Sequence, residues 1–236
     1  SFAIPAAKKS QYGKIKFNSI TTLKSGTKGE LGYTADWINN NNEVLMNEKT
    51  DFVFSEKNNC WIIDRTTTLT AQTVVKFTDA KDGLLGLRVA HELQIPAKET
   101  KKYTDDKGIV TTIVATKDSI ANGNYIDANG IEGDSVWSKK AGWCMLYGKI
   151  KTDTVSIVII DHPKNVGYPT NWHARGYGLF AANPLGEKIF TNGKAERNLT
   201  LQKNESVSFK YRIIISSDKE RLNKETIELL QKEFAK

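Results

Sequence analysis

Hydrophobic residues recur at every second position over long stretches of this sequence, and this period of two limits its fold more than any other feature. Near the C-terminus, Val207, Phe209, Tyr211, Ile213 and Ile215 alternate with mostly polar residues. Successive side chains of a β-strand point to opposite faces, so the pattern predicts a strand with one buried face. Similar signals predict strands at 33–38, 44–54, 61–77, 84–95, 109–115, 143–150 and 154–160.

The strands are not interleaved with helices, which favours an antiparallel sandwich over a parallel sheet. One helix is predicted at 225–234, where three apolar residues share a face: Ile227, Leu230 and Phe234. Ser217 and Glu220 have the spacing of a capping box ahead of it. We therefore predict an all-β antiparallel β-sandwich with a C-terminal helix, built as a single domain over residues 1–236.

Composition excludes several classes of protein. The net charge is +7, but the lysines are scattered among acids, so we predict no nucleic-acid surface. No run approaches the roughly 18 apolar residues of a membrane span. The two cysteines, Cys60 and Cys144, are either buried free thiols or one bridge. The chain opens at Ser1 and no signal peptide is recognisable, so that segment is either absent or already removed. We expect an exported or periplasmic protein.

Groups able to carry chemistry are concentrated between residues 161 and 183. This segment follows a strongly apolar strand, and with Pro184 it contains three of the five prolines and two of the three histidines, His162 and His173. It also carries Asp161, Trp172, Arg175, Tyr177 and Asn183. Histidine transfers protons near neutrality, arginine and asparagine donate to hydroxyls, and aromatic rings stack on sugars. The residues are equally compatible with a packed structural corner.

Two further places carry candidate residues. His91 alternates with leucines and is predicted to point into the core, which leaves Arg88 on the opposite, polar face of its strand. Arg88 then lines a cleft or forms an ordinary exposed cross-strand pair. Glu132 lies in a long glycine-rich loop before Trp137, where it is either a general base or a solvated acid.

We predict no cofactor and no metal. No nucleotide-binding glycine motif, P-loop or zinc-protease motif is present. Asp161, His162 and His173 are competent ligands, but adjacent side chains of an extended chain point in opposite directions.

The 161–184 segment resembles the signature of the PmoA-like family of bacterial proteins. The matching residues are Asp161, His162, Pro163, Pro169, Thr170, Trp172, His173, Arg175, Tyr177 and Gly178 through Pro184. The sequence departs from this signature in two places. A His-His-Arg-Gly-type segment expected upstream is missing, so an upstream N-terminal segment is absent either from this sequence or from this member. In addition, Gly176 replaces an expected acid.

The resemblance implies a galactose-mutarotase-like supersandwich and a role in polysaccharide utilization. It then predicts a carbohydrate ligand, with His162, His173 and Glu132 as catalytic groups. The predicted sugar-binding residues are Arg88, Asp161, Trp172, Arg175, Tyr177 and Asn183. Two functions stay open: an epimerase, lyase or hydrolase, or a non-catalytic carbohydrate-binding module. The sequence leaves the oligomeric state unknown.

Geometry within the segment can also be predicted. Three prolines restrict the backbone, so we expect an ordered loop without regular structure, lying over an open end or the concave face of the sandwich. His173 and Arg175 are two residues apart and should share one cleft, while Trp172 points into the core. Arg175 should lower the pKa of His173 unless a carboxylate, Glu132 or Asp161, lies within reach.

Overall fold

The computed structural model describes residues 12–96 and 120–236, together with the backbone of 101–104 and 110–113. The first strands are β1 Lys14–Lys24, β2 Gly29–Ile38, β3 Val44–Lys57, β4 Cys60–Ala71, β5 Val75–Lys76, β6 Leu85–Arg88, β7 Lys101–Thr104 and β8 Val110–Ile113. The remaining strands are β9 Asn124–Asp127, β10 Trp143–Ile150, β11 Asp153–Asp161, β12 Asn171–Arg175, β13 Leu179–Asn183, β14 Thr200–Leu201 and β15 Ser206–Asp218. Two α-helices are described, α1 Glu187–Phe190 and α2 Lys224–Phe234.

Eight strands form one antiparallel sheet, the large sheet, in the order β1-β2-β3-β4-β15-β11-β10-β9. Strands β15 and β11 lie side by side near its middle, where Ile213 pairs with both Ile159 and Ile63. Both strands carry apolar residues at almost every position here because both faces of the sheet are covered at this point. The period of two in β15 is therefore strongest at its beginning, where Ser206 and Ser208 are exposed and Val207 is buried.

A three-stranded antiparallel sheet, the small sheet, has the order β12-β13-β6 and packs on one face of the large sheet. The side chains between the two sheets form the main core. They include Trp172, Ala174, Phe180 and Ala182 from the small sheet and Leu69, Ile159, Phe209 and Tyr211 from the large one. Two facing antiparallel sheets around one core make a sandwich, so the predicted all-β antiparallel sandwich is confirmed.

Helix α2 covers the opposite face of the large sheet and forms a second core. Ile227 and Leu230 are fully buried there against Ile160 and Ile214, and Phe234 packs at the margin. The predicted C-terminal helix is confirmed, but the predicted capping box is wrong. Asn223 caps the helix instead, since its side chain accepts a hydrogen bond from the backbone N–H of Thr226.

The edge strand β1 is almost entirely exposed. Among the described strands it has a neighbour on one side only, β2. Its large apolar residues lie beyond the area that the small sheet covers, and they are Ile15, Phe17, Ile20 and Leu23. An aromatic row continues from them across the sheet, since Phe17 contacts Tyr33 and Tyr33 contacts Phe52 at 6.4 Å between ring centroids.

Several local predictions are corrected. The predicted strand at 84–95 ends at Arg88, and His91 begins a 3-10 turn with an exposed side chain, so its predicted core position is wrong. Segment 161–183 contains β12 and β13 and is not an irregular loop. Gly178, with φ of +85°, makes the tight turn between them. The predicted strand at 109–115 contains β8, and its ends lie outside the described residues.

Both cysteines are free and buried, as one of the two sequence alternatives had it. Cys60 belongs to the core under helix α2, whereas Cys144 belongs to the core between the sheets. The large sheet therefore separates the two thiols. No α-helix in the described part of the chain combines the length and apolar character needed to cross a membrane.

Candidate functional site

The small sheet has a second face, here called the outer face, that points away from the core. Trp172, Ala174, Phe180 and Ala182 point into the core, so the residues between them point outward. Strand register then places the outer residues in two rows. One row is His173, Ala181 and Gly86, and the other is Arg175, Leu179 and Arg88.

Small residues form the floor of this face. Gly86 is exposed, and a Cβ built on it would lie 3.6 Å from the Cβ of Ala181. That separation is an ordinary van der Waals contact, so a Cβ at position 86 fits without a clash. Gly86 is the accessible part of this floor, whereas Ala181 is 3% exposed, and the row of Arg175, Leu179 and Arg88 lies alongside it.

Arg175 and Arg88 are each held against an aromatic ring. The guanidinium carbon of Arg175 lies 4.3 Å from the ring centroid of Trp137. That of Arg88 lies 5.6 Å from the ring centroid of Tyr177. Cation–π contacts of this kind fix the plane of a guanidinium group while its N–H groups remain donors. Both arginines are thus oriented before any ligand arrives.

His173 is nearly fully buried beside these groups, with 2% of its side chain exposed. Burial lowers its pKa to about 4, and the cations of Arg175, Lys81 and Arg88 act in the same direction, against a smaller opposing effect of the Lys81 backbone. The imidazole is therefore neutral near pH 7. The predicted effect of Arg175 on this pKa is confirmed, although burial is the larger cause.

The carboxylate beside His173 belongs to Asp82, which the sequence analysis did not select. Its Oδ1 lies 3.8 Å from Nδ1 of His173, just beyond hydrogen-bond distance. Nδ1 is buried and has no hydrogen-bond partner among the described residues. The side chain of Asp82 is 74% exposed, so a small movement of Asp82 would close this pair.

Asn183 holds the segment that leads to Asp82. Its Nδ2 donates to the backbone carbonyls of Ala80 and Lys81, both at 2.8 Å, and its Oδ1 accepts from the N–H of Leu185. Asn183 is fully buried, so these bonds occupy its amide. The predicted role in orienting sugar hydroxyls is wrong on this geometry, and Asn183 positions the Asp82 segment.

Trp137 and Phe190 join the Arg175 and His173 ends of the face. The Trp137 ring meets Phe190 edge-on at 5.7 Å, and Phe190 meets His173 at 6.2 Å. Nε1 of Trp137 is buried without a hydrogen-bond partner in the described part of the chain. Two ring nitrogens without hydrogen-bond partners thus lie in one aromatic cluster. Buried polar atoms of this kind lower the stability of the fold unless a ligand or water binds them.

The missing acid at Gly176 has a structural counterpart. A Cβ built on Gly176 would lie 3.1 Å from Oδ1 of Asp134, closer than most real contacts. Asp134 comes from the 3-10 turn Gly133–Val136. A carboxylate therefore reaches this end of β12 from another segment, and glycine leaves room for it.

His162 and Asp161 lie in a different layer of the molecule. The His162 ring packs edge-on against Phe234 of helix α2 at 5.0 Å, and its Nδ1 accepts from the N–H of Lys164 at 3.0 Å. Burial, Lys210 and Lys164 lower its pKa. The predicted pairing of His162 with His173 in one site is wrong, because the core between the sheets separates them.

Asp161 orders the loop between β11 and β12. It accepts hydrogen bonds from Nδ2 of Asn165 at 2.7 Å and from the N–H of Thr170 at 2.8 Å. Burial raises its pKa to about 6, and these hydrogen bonds oppose the increase. Asp161 is 1% exposed and does not reach the outer face, so a direct contact with ligand there is excluded.

Two other predicted site residues are placed away from the role assigned to them. Trp172 is fully buried and donates from Nε1 to the carbonyl of Ala141, so it anchors the small sheet and cannot stack on a sugar. Glu132 is exposed and immediately precedes the 3-10 turn. The carboxylate beside His173 is that of Asp82 and not that of Glu132.

Comparison with known proteins gives a family but no activity. Residues 3–231 match the model of the Family of unknown function (DUF6807). The chain belongs to this family. The predicted PmoA-like membership is therefore wrong, since the matching model is a different one. No curated protein matches this DUF6807 member.

Among solved structures the DUF6807 chain is similar to the Slr1438 protein from Synechocystis sp. PCC 6803. The identity is 9% and the TM-score 0.31, over 86% of this chain and 66% of that one. The chain thus spans just under two thirds of that protein's length. The outer face itself is what bears on the function of this DUF6807 member.

Proposed function

We propose that this protein binds a carbohydrate on the outer face of the small sheet. The observation that carries the proposal is the accessible surface of Gly86 and Leu179 beside two arginines whose planes are fixed on aromatic rings. A pyranose ring has an apolar C–H surface and a rim of hydroxyls. The floor and Leu179 suit the first, and the guanidinium donors suit the second.

Filling the floor tests the proposal. Gly86 is exposed and a Cβ there fits without a clash, so Gly86→Leu adds a side chain above Ala181 and leaves the core intact. Gly29→Leu is the matched control, because Gly29 also lies in a strand and its Cβ position meets only Phe54 at 3.5 Å and more distant atoms.

Calorimetric titration over a broad panel of oligosaccharides would be performed on all three proteins. We expect the wild type and Gly29→Leu to bind the same glycan, and Gly86→Leu to lose at least about tenfold in affinity. A wild type that binds no member of the panel would contradict the proposal. So would unchanged affinity of Gly86→Leu.

One observation favours proton transfer as a second function of the same face. His173 is neutral near pH 7, and the Asp82 carboxylate lies 3.8 Å from its Nδ1. A carboxylate that closes onto imidazole orients the ring and stabilises its protonated form, as a general base requires. This reading makes the protein a carbohydrate-active enzyme, whereas binding alone makes it a sugar-binding module.

Anomer interconversion and glycoside cleavage would separate these two functions. If His173 transfers a proton, His173→Ala abolishes turnover and Asp82→Asn lowers its rate, while the glycan still binds. Binding without turnover by the wild type would assign the face to a binding module.

A further inference from the structure

The two arginines of the outer face flank one residue. Arg88 and Arg175 both pair with Leu179, one from each neighbouring strand. Adjacent strands are about 4.8 Å apart, which places the two arginine backbones roughly 10 Å from each other. Their side chains leave the sheet on the same face, and Arg88 is the more exposed of the two.

Arg88 differs from the arginines that stabilise the fold. Arg212 forms two hydrogen bonds with the carboxylate of Asp64, at 2.6 and 2.7 Å, and a third with a helix carbonyl. Arg88 is exposed, and within the described ranges it contacts the ring of Tyr177 without a carboxylate partner. Its fork of N–H donors is therefore available in a way that the fork of Arg212 is not.

Several charged residues lie near this position. The charged residues described around the face are Lys81, Arg88, Arg175, Asp82 and Asp134. Asp82 lies beside His173, and Asp134 lies beside Gly176, next to Arg175, so both carboxylates are described at the β12 side of the face and Arg88 is on the strand at the opposite edge.

We propose that the carbohydrate bound here carries an anionic substituent held by Arg88 near Leu179. This inference rests on the proposed carbohydrate function. The shared chemistry is a planar or tetrahedral oxyanion, either the carboxylate of a uronic acid or a sulfate ester. Both accept paired N–H donors from guanidinium, and such charge-assisted bonds are stronger than those to hydroxyls.

Matched sugar pairs test this inference separately from the proposed function. Glucuronate would be compared with glucose, galacturonate with galactose, and galactose 6-sulfate with galactose, by calorimetry at low ionic strength. Oligomers of the same sugars would extend the comparison if single sugars bind weakly. We expect an acidic member to bind at least about tenfold more tightly than its neutral counterpart. The carboxylate and sulfate pairs show which oxyanion the face prefers.

Three variants test whether Arg88 carries the preference. Arg88→Gln should remove the difference between acidic and neutral sugars, and Arg88→Lys should retain part of it because the charge remains without the fork. Arg221→Gln is the control, since Arg221 makes a similar contact with Tyr147 at 4.6 Å in another part of the molecule. It should leave the preference unchanged.

The outcomes are distinct. Neutral and acidic sugars that bind equally well overturn the anionic preference and leave carbohydrate binding intact. A preference for acidic sugars that survives Arg88→Gln also overturns it. Absence of binding to every sugar overturns the proposed function itself.

Discussion

Replacing His173 with glutamine should change how the stability of the fold depends on pH. His173 has a pKa lowered from 6.5 to about 4, mainly by burial. Because the folded pKa is the lower one, this group contributes stability above pH 6.5, and the contribution is lost as the pH falls toward 4. Acid therefore destabilises the fold through His173.

Asp161 acts in the opposite direction over nearly the same range. Burial raises its pKa from 3.8 to about 6. Because the folded pKa is the higher one, its contribution is fully present below pH 3.8 and is lost as the pH rises through 6. Acid therefore stabilises the fold through Asp161, and the two groups largely offset each other in the wild type.

The size of each effect follows from the pKa values. A tenfold change in proton affinity corresponds to about 1.4 kcal/mol. Between about pH 7 and about pH 4.5, linkage gives a loss of about 2–3 kcal/mol from His173 and a gain of about 2 kcal/mol from Asp161. The free energy of unfolding of the wild type should thus change little through these two groups.

Each single variant removes one of the two groups and leaves the pH effect of the other uncompensated. In His173→Gln, the Asp161 effect remains and unfolding should become harder as the pH falls to about 4.5, relative to wild type. In Asp161→Asn, the His173 effect remains and acid should be more destabilising than in wild type. The asparagine also loses one of two hydrogen bonds, but that cost is independent of pH.

Urea unfolding at a series of pH values measures both profiles. Comparison with wild type at each pH cancels the contributions of the other carboxylates. If the free energy of unfolding of His173→Gln depends on pH as that of the wild type does, His173 is not a buried neutral group in the fold. If both variants show the pH dependence of the wild type, the opposing pair does not exist.

Further stability changes can be checked by the same unfolding assay. Trp172→Ala should cost about 3–5 kcal/mol because the ring is fully buried, whereas Trp61→Ala, at a position 64% exposed, should cost far less; equal costs would contradict the core assignment. Asn223→Ala removes the cap of helix α2 and should cost about 1 kcal/mol, and no loss would show that the cap is not formed. Gly178→Ala should cost about 1–2 kcal/mol because φ is +85°, a conformation that alanine adopts poorly, and a stabilised variant would contradict this turn.

Six strands of the large sheet could be predicted because they carry their own pattern, whereas β1 and β9 were missed. Alternation in β15 and the apolar block of β11 reflect burial on one or both faces, and each is local in sequence. Helix α2 could be predicted for the same reason, although Ser217 and Glu220 gave a wrong start. Capping depends on where the backbone leaves the strand, and residue spacing does not contain that information.

The small sheet could not be predicted as a sheet. Its strands have four or five residues, and the prolines around β12 and β13 indicated a loop. The alternation of Trp172 with His173 was recognised, so the inward and outward directions of these side chains followed. Only the pairing of β6 with β13, residues about ninety positions apart, brings Arg88 to the same face as Arg175.

The position of Asp82 beside His173 could not be derived from the sequence alone. No local sequence signal connects Asp82 with His173. Its position depends on the hydrogen bonds that Asn183 makes to the preceding carbonyls. His162 was overvalued for the converse reason, since closeness to His173 in sequence concealed the core that lies between them.

The exposed edge strand β1 also determines how the protein behaves at high concentration. An apolar strand edge is a template for pairing with a second copy, and such pairing starts aggregation. Here the strand begins at Lys14 and ends at Lys24, both exposed. Antiparallel pairing of two centred copies would place Lys14 of each beside Lys24 of the other, and like charges directly opposite oppose pairing. Salt screens this repulsion, so added salt should lower the solubility of the protein.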